Sequence, residues 1–133
     1  MLYTVRNRND KSLAIVVEQA DNAKGLAFVA HGLGGFKEQK HILSITEAFT
    51  KAQYTTVRWD AANTLGESDG LLENATLTNY YEDMQDVIAW AKKQEWYQEP
   101  FILCGHSLGA ACSILYTSKY PNTFLNCNGI LVK

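Results

Sequence analysis

The sequence predicts an α/β fold: a mostly parallel sheet with helices on both faces, entered through an N-terminal hairpin. Three observations carry that prediction. Residues 26–30 and 101–104 are short, continuously apolar runs, the pattern of strands buried on both faces. Helical periodicity lies between them, so strand and helix alternate along the chain. Each apolar run also passes straight into a turn containing glycine, where a parallel strand can hand over to a helix.

Taken in order, residues 3–8 and 13–18 are rich in β-formers and flank Asn9-Asp10, a pair that favours a turn. They predict the hairpin. The run 26–30 is the first buried strand. Ile42, Ile45, Ala48 and Phe49 then fall at helical spacing, which predicts a helix over 41–52. Residues 54–59 form the next strand, ending at Asp60. The stretch 61–74, rich in Gly, Asn, Ser and Asp, predicts a long loop. Leu77, Tyr80, Tyr81, Met84, Val87, Ile88 and Ala91 follow at i, i+3, i+4, i+7 spacing and give the clearest amphipathic helix. That spacing assigns Met84 and the tyrosines to the core. Pro100 breaks the chain before the strand 101–104. Residues 107–119 predict a helix of small residues, stopped before Tyr120-Pro121, and 130–132 opens another strand.

With 133 residues and no repeat or low-complexity tract, the chain 1–133 reads as one domain. Hydrophobic residues make up 47% and charged residues 20%, enough apolar material for a core. A net charge of −2, without any long run of like charge, argues against a nucleic-acid partner or an anchoring tail. Arg6 and Arg8 interrupt the N-terminus before an apolar signal segment could form. No apolar run approaches the roughly 20 residues needed to span a bilayer, so no membrane partner is expected. Cys104, Cys112 and Cys127 are odd in number and lack C-x-x-C spacing. They read as buried thiols in a reducing compartment, which predicts a cytoplasmic protein.

The chemistry sits in Gly105-His106-Ser107-Leu108-Gly109, a G-x-S-x-G sequence that follows an apolar strand and opens a helix. A nucleophile elbow needs that context: a sharp turn pushes the serine Oγ into the open at a helix N-terminus, where free N–H groups favour negative charge. Ser107 is therefore the candidate nucleophile. A second motif, His31-Gly32-Leu33-Gly34-Gly35, directly follows the first buried strand. A glycine-rich turn there can aim backbone N–H groups at a developing oxyanion. The expected donors are Leu33 from this loop and Leu108 after the nucleophile.

The two motifs, in this order and separation, resemble the α/β-hydrolase superfamily across nearly the whole chain. Trp59-Asp60 followed by Gly66-Glu67-Ser68-Asp69-Gly70 further resembles its serine esterase, thioesterase and acyl-peptidase-like members. The resemblance implies an α/β-hydrolase fold and cleavage of small-molecule acyl esters or thioesters through an acyl-enzyme at Ser107. It implies no metal or organic cofactor, and it makes Asp60, Ser68 and Asp69 structural.

The pattern departs from the family at one place. In that fold the triad runs Ser, then Asp or Glu, then His, yet no histidine follows Ser107 and the last acidic residue is Glu99. The three histidines present do not fit the role of base. His106 should point away from its neighbour at the turn, His31 belongs to the oxyanion loop, and His41 reads as a solvated helix face. The expectation is an incomplete α/β-hydrolase domain from a longer enzyme, with the acid and the histidine in sequence beyond residue 133. The alternative is a non-catalytic chain that truly ends at Lys133 and acts as an interaction module, self-associating through an uncovered sheet edge.

Overall fold

The structure, a computed structural model, describes residues 1–120 and 131–132. Strands β1 (Leu2–Arg6) and β2 (Ser12–Glu18) form the expected antiparallel hairpin, with Leu2 opposite Val16 and Arg6 opposite Ser12. Asn7 organises its turn. The Asn7 Oδ1 accepts from the N–H groups of Asn9 and Lys11, both at 2.9 Å, and Asp10 takes a left-handed φ of 60° that Asp tolerates. The Asn7 amide donates to Asp83 Oδ1 at 2.6 Å, tying the hairpin to the main helix of the fold.

Next come β3 (Gly25–Ala30), α1 (Lys40–Lys51), β4 (Tyr54–Trp59), α2 (Leu77–Ala91), β5 (Ile102–His106), α3 (Leu108–Lys119) and β6 (Leu131–Val132). The six strands are ordered β1-β2-β4-β3-β5-β6. β4, β3, β5 and β6 run parallel, and β2 joins β4 antiparallel, so the hairpin is an antiparallel wing on a parallel sheet. The fold class expected from the sequence is the one observed.

Strand alternation sorts side chains onto two faces. Leu26, Phe28 and Ala30 of β3 and Leu103 of β5 enter the larger core, shared with Tyr80, Met84, Val87 and Ile88 of α2 and Cys112 and Tyr116 of α3. Val29 and Cys104, the alternate residues, meet Ile42 of α1 on the opposite face. Thr76 caps α2 by accepting from the Asn79 N–H at 3.0 Å. Among the described residues no helix is long and apolar enough to cross a membrane.

β1 ends at Arg6, two residues before its expected end, and the bounds of β2, β3, α1 and α3 move by one residue; the loop 61–74 and β5 depart further. The loop 61–74 contains a turn of 3₁₀ helix at Leu72–Asn74. β5 continues beyond its apolar run to His106, because Gly105 pairs with Ala30 and His106 with Val132; the ladder extends the strand past the point where side-chain preference ends. Ile130 and Cys127 lie outside the described residues.

Phe28 is fully buried, with its ring edge-on to Phe101 at 4.9 Å. Phe28→Ala should lower the unfolding free energy by about 3–5 kcal/mol, read as a fall in the urea midpoint.

Candidate active site

β5 delivers the chain to Ser107 with no room to spare. A Cβ on Gly105 would lie 2.6 Å from the Gly109 carbonyl carbon, and one on Gly109 would lie 2.5 Å from the carbonyl oxygens of Ala30 and His31. Only glycine allows backbones this close. The tight turn holds Ser107 at φ 52° and ψ −115°, a strained conformation for a residue with a side chain. Ser107 is exposed. It precedes α3 yet does not cap it, and its hydroxyl enters none of the hydrogen bonds among the described residues. A serine at this position usually gives its oxygen to the helix. Among the described residues this oxygen is uncommitted.

The glycine-rich loop after β3 is held from three sides. The His31 Nε2 accepts from the Ala61 N–H at 3.1 Å, so Nδ1 carries the proton and donates to the Gly32 carbonyl at 2.6 Å. The Tyr80 hydroxyl donates to the His31 carbonyl, and the Thr64 hydroxyl to the Gly35 carbonyl. At the end of the loop, Lys37 grips Asp60 twice. Its N–H donates to Oδ1 at 2.6 Å and its Nζ to Oδ2 at 2.7 Å. Both side chains are fully buried.

Asp60 also accepts from the Glu67 N–H at 2.7 Å, and its carbonyl accepts from the Ser68 hydroxyl at 2.6 Å. Ser68 in turn accepts from the Ala14 N–H at 2.9 Å, and Asp69 Oδ2 accepts from the Ser12 N–H at 2.8 Å, which fastens the post-β4 loop to β2. Carboxylate oxygens of Glu38, Asp60 and Glu67 approach within 4.8 Å of one another, with the Lys37 ammonium among them as counter-ion. That charge makes the cluster an ion-pair network and a poor metal site.

Electrostatics follow from burial. Desolvation pushes the Lys37 pKa down, but the hydrogen bonds to Asp60 and Glu67 outweigh it and hold the amine above its ordinary 10.5. Desolvation is also the main cause of the lowered His31 pKa, which keeps that ring neutral.

Leu33 and Leu108, the two expected N–H donors, line one cavity together with Gly32, Gly34, Ala61 and Thr64. Leu108 is the first residue of α3, where the N–H has no partner within the helix. Among the described residues neither the Leu33 nor the Leu108 N–H has an acceptor. The solvated reading of His41 needs correction. Its ring lies 4.4 Å from that of His106, and its Nε2 is buried without a hydrogen-bond partner among the described residues. The pairing of β3 with β5 brings His106 to the α1 side, a contact that helix periodicity alone does not reveal. Lys37 was missed altogether. It sits in a polar stretch beside Glu38, and the only sequence hint is an acidic residue, Asp60, closing the next buried strand.

A family model for serine aminopeptidases, S33, matches residues 21–132. The chain belongs to that family. Its fold recurs in solved hydrolases. Est1E from Butyrivibrio proteoclasticus, solved with ferulic acid bound, is 23% identical with a TM-score of 0.84, covering 92% of this chain and 49% of its own. Mouse alpha/beta hydrolase domain-containing protein 10 is 19% identical with a TM-score of 0.75, covering 94% and 47%. An alpha-beta serine hydrolase homologue from Coxiella burnetii is 19% identical with a TM-score of 0.77, covering 90% and 57%. This S33-family chain thus spans about half the length of the solved structures it matches. No curated protein sequence matches it.

Two outcomes follow for the loop that His31 and Lys37 anchor. Lys37→Met strands a buried Asp60 carboxylate and should cost about 3–5 kcal/mol by urea unfolding, part of it recovered in Lys37→Met/Asp60→Asn, whose neutral amide oxygen still accepts from a backbone N–H. Because folding depresses the His31 pKa, its contribution is present above pH 6.5 and is lost as pH falls through 6.5 towards the folded-state value. Unfolding free energy measured between pH 7.5 and 5.5 should therefore decline, and decline less in His31→Asn.

Proposed function

We propose that this chain is the nucleophile-bearing part of a serine hydrolase that cleaves esters or thioesters of small molecules. One observation carries the reading: an exposed serine hydroxyl on a strained turn and the N–H groups of Leu33 and Leu108, two residues that line one cavity, all without a hydrogen-bond partner among the described residues. Ser107 Oγ attacks the acyl carbonyl while a base removes its proton. The Leu33 and Leu108 N–H groups hold the carbonyl oxygen as it becomes an anion, where such donors contribute most. The alcohol or thiol departs with the proton, leaving the acyl group on Ser107, and water then hydrolyses that intermediate through the same base. The α/β-hydrolase relatives, one of them solved with ferulic acid bound, support this substrate class.

The base comes from outside these 133 residues. His31 has both ring nitrogens committed, and His41 and His106 face each other. The triad acid has the same origin, since no acidic residue follows Glu99. The compartment is reducing and cytoplasmic in this reading. Burial pushes the Cys104 thiol up to about 12 and that of Cys112 up to about 11, so both remain unreactive thiols.

A fluorophosphonate, which reacts with activated serines, tests this. A longer polypeptide carrying this sequence with an acid and a histidine after Ser107 should label rapidly, and Ser107→Ala should abolish the label. The 133-residue chain alone should label at least about a thousandfold more slowly. Fast Ser107-dependent labelling of the short chain would return the role of base to one of its own histidines. Failure of every longer form would favour the interaction module.

A further inference from the structure

We propose that His106 is a positioning residue that couples the nucleophile to the oxyanion loop, and that His41 is the support that keeps it in place. This rests on the reading of Ser107 as nucleophile and names residues which that reading leaves without a task. Alternation along β5 puts His106 on the same face as Cys104, the face covered by α1. There its ring meets His41 at 4.4 Å between centroids, tilted by 58°. Gly32, immediately before the proposed donor Leu33, also lies close to His106. A Cβ on Gly32 would lie 3.1 Å from His106 Nδ1, 3.3 Å from the His106 carbonyl and 3.3 Å from Ser107 Cβ.

The imidazole is thus a spacer between a helix and the oxyanion loop, one residue from the nucleophile. His41 Nε2 is buried with no hydrogen-bond partner among the described residues, an arrangement native proteins generally avoid. A ring kept in place despite an unpaired nitrogen points to the ring contact as its use. Without it, His106 gains room to swing towards α1 and Gly32 can follow, carrying the Leu33 N–H with it. The donors act chiefly on the transition state, so their displacement lowers kcat and leaves KM nearly unchanged.

The experiment compares His41→Ala with His41→Phe, which keeps a ring and removes the nitrogens. In a polypeptide with Ser107-dependent hydrolysis of p-nitrophenyl acetate, His41→Ala should lower kcat by about ten- to a hundredfold, with KM within about twofold. His41→Phe should recover most of the loss. Unchanged kcat in His41→Ala, or equal losses in both variants, would overturn the proposal. If no form turns over substrate, the functional reading fails, and the coupling is still read by amide NMR of the 133-residue chain. The Gly32, Leu33 and Leu108 resonances should move in His41→Ala and return in His41→Phe; resonances that stay in place in His41→Ala would show that His41 does not position the loop.

Discussion

The carboxyl end of the sheet depends on one buried ion pair, Lys37 with Asp60. Desolvating two charges costs several kcal/mol per ion, and attraction alone rarely offsets it. Here the carboxylate also accepts from two backbone N–H groups, those of Lys37 and Glu67, and the ammonium reaches Glu67 as well. These bonds are specific to one arrangement of two loops, so the pair contributes registry more than net stability. The loop after β3 cannot shift along the loop after β4 without exposing a buried charge to an apolar surrounding. Tyr80 extends the lock to α2 through the His31 carbonyl.

The elbow is rigid for a different reason. Its geometry comes from close approach of backbones at Gly105 and Gly109, and Ser107 between them is exposed. Two constraints, one electrostatic and one steric, therefore converge on the same few ångströms. The ion pair fixes the glycine-rich loop, the packed turn fixes the serine, and the contact of Gly32 with His106 and Ser107 joins them. In the proposed function, preorganisation of this kind would let the backbone donors of Leu33 and Leu108 act without reorganising as charge develops.

Much of this was legible in the sequence because the controlling forces are local. Continuous apolar runs marked β3 and β5, and the spacing from Leu77 to Ala91 gave α2 its observed bounds. Ser107, Leu33 and Leu108 could be put forward as site candidates because turn geometry leaves a glycine signature. The rest depends on contacts between residues far apart in the chain. No periodicity places β4 between β2 and β3, extends β5 to His106 through pairing, or brings His41 against His106. Lys37 is the sharpest case. A lysine in a polar turn reads as solvated until the fold brings Asp60 to it across 23 positions of sequence.

The most direct test of this account is the crystal structure of the phosphonylated Ser107 adduct. The two constraints predict the phosphonyl oxygen at about 2.7–3.1 Å from the backbone nitrogens of both Leu33 and Leu108, with Lys37 still on Asp60. An adduct whose oxygen turns to solvent, or whose Leu33 N–H faces away while the ion pair is intact, would contradict the claim that these contacts build the oxyanion site.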